Sequence, residues 1–168
     1  AGIRGISCTQ KTLANYLGVR IDYYMKVNFT SVIKIMDVVG NVDVYSHYTF
    51  IGAEGSRFVK GINTINSKQA LEFARTRYTV PGGDLTRGIH QQELIKAVFN
   101  KMMSPSNILK VEGIINSVSR SIDTNISPRV ISNIISKQLN DGDSWDFNTM
   151  SLSGSEGMRT TYLYPRQK

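Results

Sequence analysis

Ala74 to Gln92 reads ARTRYTVPGGDLTRGIHQQ. Arg75, Arg77 and Arg87 stand on either side of a Pro81-Gly82-Gly83 turn signal. Arg75 and Arg77 are two apart, so in an extended segment they point to one side. Asp84 stands where a helix N-cap is expected, just before a long periodic run. On that helix Asp84, Arg87 and Gln91 follow i, i+3, i+7 spacing and share a face. The spacing predicts a mouth with Arg75 and Arg77 on one lip and Arg87 on the other. Guanidinium groups stay charged and match phosphate oxygens bidentately. Beside a helix N-terminus, three of them would form a pyrophosphate clamp. The alternative is a solvated surface with ordinary salt bridges, the usual fate of a charge cluster.

The helix that opens at Asp84 and stops before Pro105 is the longest element, and its face carries a second signal. Ile95, Val98 and Met102 continue the face begun by Asp84, Arg87 and Gln91. A polar mouth leading into an apolar groove suits a ligand with a phosphate head and a long hydrocarbon tail. Apolar helix stripes are more often core, and that alternative stays open.

Working outward, Thr9 to Leu17 has helical spacing with Gly18 as a stop. Ile21 to Val27 reads as a strand. Ser31 to Val39 reads as a helix, with Asn28 and Thr30 as cap candidates, and Val42 to Tyr45 as a short strand. Strand, helix, strand in this order predicts a βαβ unit with parallel strands. His47 to Ser56 reads as loop or edge strand, and Phe58 to Gly61 as a further short strand. Ser67 is expected to cap a helix ending near Arg75. Ile108 to Val118 is amphipathic. Ser127-Pro128 opens a helix to about Leu139, with Ile131, Ile134, Ile135 and Leu139 inward. Trp145 to Leu152 and Arg159 to Tyr164 read as a strand pair. The fold class is therefore α/β.

The chain has 168 residues, which suits one domain, and 40% of them are hydrophobic, enough for a core. Net charge is +7, which favours anionic partners such as phosphates, acidic polymers or a lipid surface. No Lys/Arg-rich run and no aromatic stacking platform is present, so nucleic acid is not an expected partner. Cys8 is the only cysteine, so an intrachain disulfide and a cysteine-based metal site are excluded. His47 and His90 are too few for a histidine-rich metal site, and no metal ligands are assigned in this chain. No run of about 20 apolar residues exists to cross a membrane.

Three segments carry a family resemblance: IDYYMKVNFTSVIKIMDVVGNVDVY (Ile21 to Tyr45), GINTINSKQALEFARTRY (Gly61 to Tyr78) and GGDLTRGIHQQ (Gly82 to Gln92). R-x-R-Y followed by D-x-x-R-x-x-x-Q is specific. The sequence resembles the LytR-CpsA-Psr family of Gram-positive bacteria, most closely its streptococcal capsule-biosynthesis members, and the match is strongest over residues 1–139. The resemblance implies a three-layer α-β-α domain with a central mixed sheet. It also implies a membrane-anchored enzyme on the extracellular face of the cytoplasmic membrane. Such an enzyme is a phosphotransferase that moves capsular polysaccharide or a related anionic glycopolymer from a polyprenyl-pyrophosphate carrier to peptidoglycan. By the match Arg75, Arg77 and Arg87 are the catalytic residues. Together with Gln91 they line the pyrophosphate site, with Asp84 holding the arginines in place. Lys11 lies near the lipid phosphate, and Ile95, Val98 and Met102 border the lipid pocket. Magnesium is the implied cofactor.

The family's upstream strands, with an S-I-P-R-D-T-like motif and the magnesium aspartates, have no counterpart here. Residues 1–168 are therefore expected to be the C-terminal portion of one catalytic domain. The upstream segment is expected as a separate partner chain hydrogen-bonded into its sheet. Around Gly88 to His90, where many members carry arginine or asparagine, the resemblance assigns no role. A non-catalytic module that binds polyprenyl phosphate or a polyanion is the alternative function.

Overall fold

The computed structural model describes residues 3–118, 122–142, 147, 154–157 and 160–165. The chain opens with α1 (Ile3–Leu17), which starts earlier than expected and ends at Gly18, where φ is +67°. β1 (Met25–Val27) follows, then α2 (Phe29–Val39). Asn28 supplies the α2 cap, its side chain accepting the Ser31 N–H at 2.8 Å, while Thr30 lies inside the helix. β2 (Val42–Ser46) alternates buried Val42, Val44 and Ser46 with exposed Asp43 and Tyr45, so one face meets the core. The next strands are β3 (Phe50–Ile51), β4 (Arg57–Phe58) and β5 (Gly61–Ile65).

α3 (Ser67–Arg75) is capped by Asn66 rather than Ser67. Asn66 accepts the Gln69 N–H while the Gln69 side chain accepts the Asn66 N–H, a reciprocal capping box. α4 (Asp84–Met102) is the longest element. A 3₁₀ turn at Ile108–Lys110 leads into α5 (Val111–Val118), then β6 (Ile122–Thr124) and α6 (Pro128–Asp141). Ser127 caps α6 with proline in its first turn, as the sequence indicates. Of the residues expected to face inward on α6, Ile131 and Ile135 pack against the core, whereas Leu139 is exposed. β7 (Gly154–Gly157) pairs with β8 (Thr160–Pro165). The strand expected at Trp145 to Leu152 lies outside the described residues apart from Phe147, whose ring meets Phe99 edge-on.

The α/β class holds, and the pairing corrects the βαβ expectation. β1 runs antiparallel to β6, with Met25 opposite Thr124, and β2 runs antiparallel to β5, with Val42 opposite Ile65. Parallel strands need burial on both faces. β1 instead exposes Met25 and Lys26, so it cannot sit inside a covered parallel sheet. Among the described residues the strands form four two-stranded antiparallel ladders, and no central mixed sheet joins them.

The core gathers Ile35, Met36 and Val39 of α2 with Val42 and Val44 of β2, and with Leu94, Val98 and Met102 of α4. An aromatic group of Phe50, Phe58, Phe73 and His90 fills the space between β3, β4, α3 and α4.

Candidate functional site

The segment between α3 and α4 is pinned along its length by backbone and threonine contacts. At its start, both the N–H and the hydroxyl of Thr76 donate to the Glu72 carbonyl, at 3.0 and 2.7 Å. In the middle, the Thr79 hydroxyl donates to the Ile51 carbonyl at 2.6 Å. At its end the Thr86 hydroxyl donates to the Pro81 carbonyl. Gly82 and Gly83 have φ of +81° and +52°, which side chains with a Cβ rarely adopt, so the Pro-Gly-Gly turn needs its glycines. Gly83, not Asp84, is the N-cap of α4, and it provides no side-chain cap. Asp84 is the first helical residue. Its carboxylate there suits the positive end of the helix dipole.

Asp84 gathers two of the three arginines. Arg87 Nη2 lies 2.5 Å from Asp84 Oδ1, one turn along the helix, and Arg77 Nε lies 3.9 Å from the same oxygen. Arg77 also stands over the Tyr78 ring, with Cζ 5.5 Å from its centroid. All three side chains of this group are between one third and two thirds exposed. At such exposure an ion pair contributes no more than about 1 kcal/mol to stability. What the arrangement offers instead is fixed, solvent-facing guanidinium groups beside a helix N-terminus, a setting for a phosphate.

Arg75 stands elsewhere. It is the last residue of α3, and its guanidinium lies over the Phe29 ring at the start of α2, 5.0 Å from the centroid. The alternation that would send Arg75 and Arg77 to one side requires extended backbone at both. The chain becomes extended only at Thr76, with φ −62° and ψ 127°. Gln91 Nε2 donates to the Ala74 carbonyl at 3.2 Å, so it ties α4 to the end of α3. Lys11 is exposed on α1, and no hydrogen bond or ion pair joins it to the arginines among the described residues.

The apolar half of the α4 face also departs from expectation. The buried residues of α4 are Thr86, His90, Leu94, Val98 and Met102. Each step of four advances the stripe by about 40° around the axis, so the buried side rotates along the helix. Val98 and Met102 therefore reach the core cluster, whereas Ile95 is 54% exposed. The core alternative describes Val98 and Met102, and Ile95 lies at the surface.

His90 and Glu72 escaped the sequence reading. His90 is fully buried, stacked 4.2 Å from Phe73 and 5.1 Å from Phe50, and neither ring nitrogen has a hydrogen-bond partner among the described residues. Burial lowers its pKa to about 4, so it sits neutral in the core, away from the arginines. Glu72 is also buried, and its carboxylate accepts the N–H groups of Glu54 and Ser56. On the other flank of α4 lies a groove of about 390 Å³ lined by Asp43, Tyr45, His47, Glu93, Lys96 and Asn100, without any of the arginines.

The residues present do not fit magnesium. Among the described residues no three His, Cys, Asp or Glu side chains gather to hold a metal, and Asp84 is engaged by Arg87. No described helix is long and apolar enough to cross a membrane.

Fold and site together define an α/β protein with two solvent-facing guanidinium groups, those of Arg77 and Arg87, at the head of α4. A family model described as the LytR_cpsA_psr family matches residues 2–168, and the chain belongs to that family. The chain is 34% identical over 123 residues to the polyisoprenyl-teichoic acid–peptidoglycan teichoic acid transferase TagU of Bacillus subtilis, covering 73% of this chain and 40% of the relative. It is 31% identical to TagV, a transferase of the same description from that organism, over 93% of this chain and 42% of the relative. The crystal structure of B. subtilis TagV superposes with a TM-score of 0.71 at 30% identity, covering 94% of this chain and 63% of that one. The chain thus spans about 40% of the length of the curated relatives it matches.

Proposed function

We propose that this chain forms part of a phosphotransferase that moves an anionic glycopolymer, such as a capsular polysaccharide, from a polyprenyl-pyrophosphate carrier to peptidoglycan. The work takes place at the extracellular face of a Gram-positive cell membrane. The observation that carries the reading is the pair Arg77 and Arg87 held on Asp84 at the start of α4. Family membership and the names of the transferase relatives support it.

In the transfer, a hydroxyl oxygen of the acceptor glycan attacks the phosphorus that carries the glycopolymer. A phosphodiester forms, the pyrophosphate P–O–P bond breaks, and polyprenyl phosphate leaves. The hydroxyl proton passes to a general base. Negative charge grows on the departing phosphate, and fixed guanidinium donors stabilise it. Arg77 and Arg87 take that part. From the family match, Arg75, at the end of α3, is proposed for the pyrophosphate and Lys11, on α1, for the lipid phosphate.

The test is calorimetric binding of a short prenyl pyrophosphate, followed by assay for release of prenyl phosphate with and without magnesium. Binding that weakens in Arg77→Lys and Arg87→Lys, together with turnover, supports the transferase. Binding without turnover under any metal condition makes the chain a polyprenyl-phosphate binding module instead. Equal affinity in wild type and both lysine variants overturns the arginine site.

A further inference from the structure

We infer that Glu72 is a positioning residue that holds the arginine-bearing segment in register from inside the fold. The inference rests on the arginine site proposed above. Glu72 is 5% exposed, and no lysine or arginine pairs with it among the described residues. A buried carboxylate without a cation is costly unless hydrogen bonds replace water. Here the backbone does so. The Glu54 N–H donates to Glu72 Oε1, and the Ser56 N–H donates to the same oxygen at 3.2 Å. Burial on its own raises the pKa of Glu72. The Ser56 hydroxyl and the N–H groups of Glu54, Ser56 and Gly55 outweigh it, so the carboxyl sits below its ordinary value and stays ionised.

The loop so captured closes on itself, with the Gly52 N–H donating to the Ser56 carbonyl at 2.8 Å and the Gly55 N–H to the Gly52 carbonyl at 3.1 Å. It leaves β3 directly, and Ile51, the residue before Gly52, accepts the Thr79 hydroxyl at 2.6 Å. Thr79 lies two residues beyond Arg77. A chain of contacts therefore runs from the Glu72 carboxylate through the 52–56 loop and Ile51 to Thr79. The Glu72 backbone carbonyl meanwhile holds Thr76 on the other side of Arg77. One residue fixes both flanks of Arg77, through its carbonyl and through its carboxylate. Gly52 belongs to the same latch. A Cβ there would lie 2.6 Å from Glu72 Cδ and 2.7 Å from Cγ, so any side chain displaces the carboxylate.

The experiment measures inorganic pyrophosphate affinity by calorimetry and amide hydrogen exchange at Thr76 and Gly83. The proteins are wild type, Glu72→Ala, Glu72→Gln, Thr79→Val and the Glu72→Ala/Thr79→Val double variant. Loss of a charge-assisted hydrogen-bond set should weaken binding about tenfold in Glu72→Ala. Glu72→Gln, whose carboxamide oxygen still accepts, should lose about threefold or less. Because Glu72 acts on Arg77 through Thr79, the double variant should bind no more weakly than Glu72→Ala, with exchange at Gly83 faster in all three alanine and valine variants. Additive losses in the double variant would overturn the Thr79 route. Unchanged affinity and unchanged exchange in a folded Glu72→Ala would overturn the positioning role. Should Glu72→Ala not fold, Thr79→Val decides alone: unchanged exchange at Gly83 there overturns the inference. Exchange needs no ligand, so a wild type that does not bind pyrophosphate refutes the proposed function separately.

Discussion

Replacing His90 with phenylalanine should remove a large part of the protein's sensitivity to mild acid. The imidazole is fully buried between Phe50 and Phe73, with ring planes inclined by 16° and 24° to theirs. Burial is the main cause that lowers its pKa from 6.5 to about 4, with proximity to His47 adding to it and the Phe73 backbone opposing. An unfolded chain binds a proton at this histidine near the ordinary value, and the folded chain does so only near pH 4. The stabilisation is thus fully present above about pH 6.5 and is lost as pH falls toward about 4. A gap of two and a half pH units at about 1.4 kcal/mol each amounts to about 3 kcal/mol at the acid end. That is a large share of the ordinary stability of a domain, about 5–15 kcal/mol. The assay is urea denaturation at pH 7.5, 5.5 and 4.5, as conditions of about that spacing sample the window. Wild type should lose roughly 1.4 kcal/mol by the middle condition and about twice that by the last. His90→Phe keeps the stacked ring and has no proton to take up, so its stability should be flatter by that amount. Any packing cost of the larger ring shifts all three conditions equally. Carboxylates such as Glu72 contribute acid lability to both proteins alike and cancel in the difference. Parallel pH profiles in the two proteins would refute the neutral, buried histidine.

Arg77→Lys and Arg87→Lys should each weaken pyrophosphate binding about tenfold despite the retained charge, since lysine donates from a point. Titration calorimetry checks this, with equal affinities as the adverse result. Val98→Phe should destabilise by about 1–3 kcal/mol through overpacking, whereas Ile95→Ala should change stability by less than about 0.5 kcal/mol. Denaturant midpoints of the two variants separate a core position from a surface one. Gln91→Ala should cost about 1 kcal/mol, because its amide holds the Ala74 carbonyl at the end of α3. A double variant with Arg87→Lys should lose that stability without further loss of anion affinity.

Much of the chain was legible because its signals are local. The cap at Ser127, the proline that follows it and the span of α4 each depend on residues within a few positions. Asp84 and Arg87 meet because i and i+3 are neighbours on any helix. Strand pairing was not legible, because the partner of β2 is chosen across the excursion of residues 47–60 and no local pattern encodes it. The choice of Asn66 over Ser67 as a cap was equally hidden. Both residue types cap helices, and the decision rests on the Gln69 side chain reaching back. Arg75 ends α3 where the helix was expected to stop, and that bears on the alternation read for Arg75 and Arg77. Since α3 runs on through it, the two-residue alternation expected of a strand does not begin until after Thr76.

α4 ties these successes and failures together. A stripe of fours, Thr86, His90, Leu94, Val98 and Met102, winds about the helix as it advances. The helix therefore buries one side near its start and a different side near its end. At the start, the turn of the stripe leaves Arg87 and Asp84 in solvent, where an anion can reach them. Near the end it carries the same angular sector inward, and Val98 and Met102 become core. A face drawn on a straight helical wheel joins the two halves into one surface. The fold separates them, leaving Asp84 and Arg87 at the surface and placing Val98 and Met102 in the core. On that division, changes at the exposed arginine end should cost little stability, while changes at Val98 should cost folding stability.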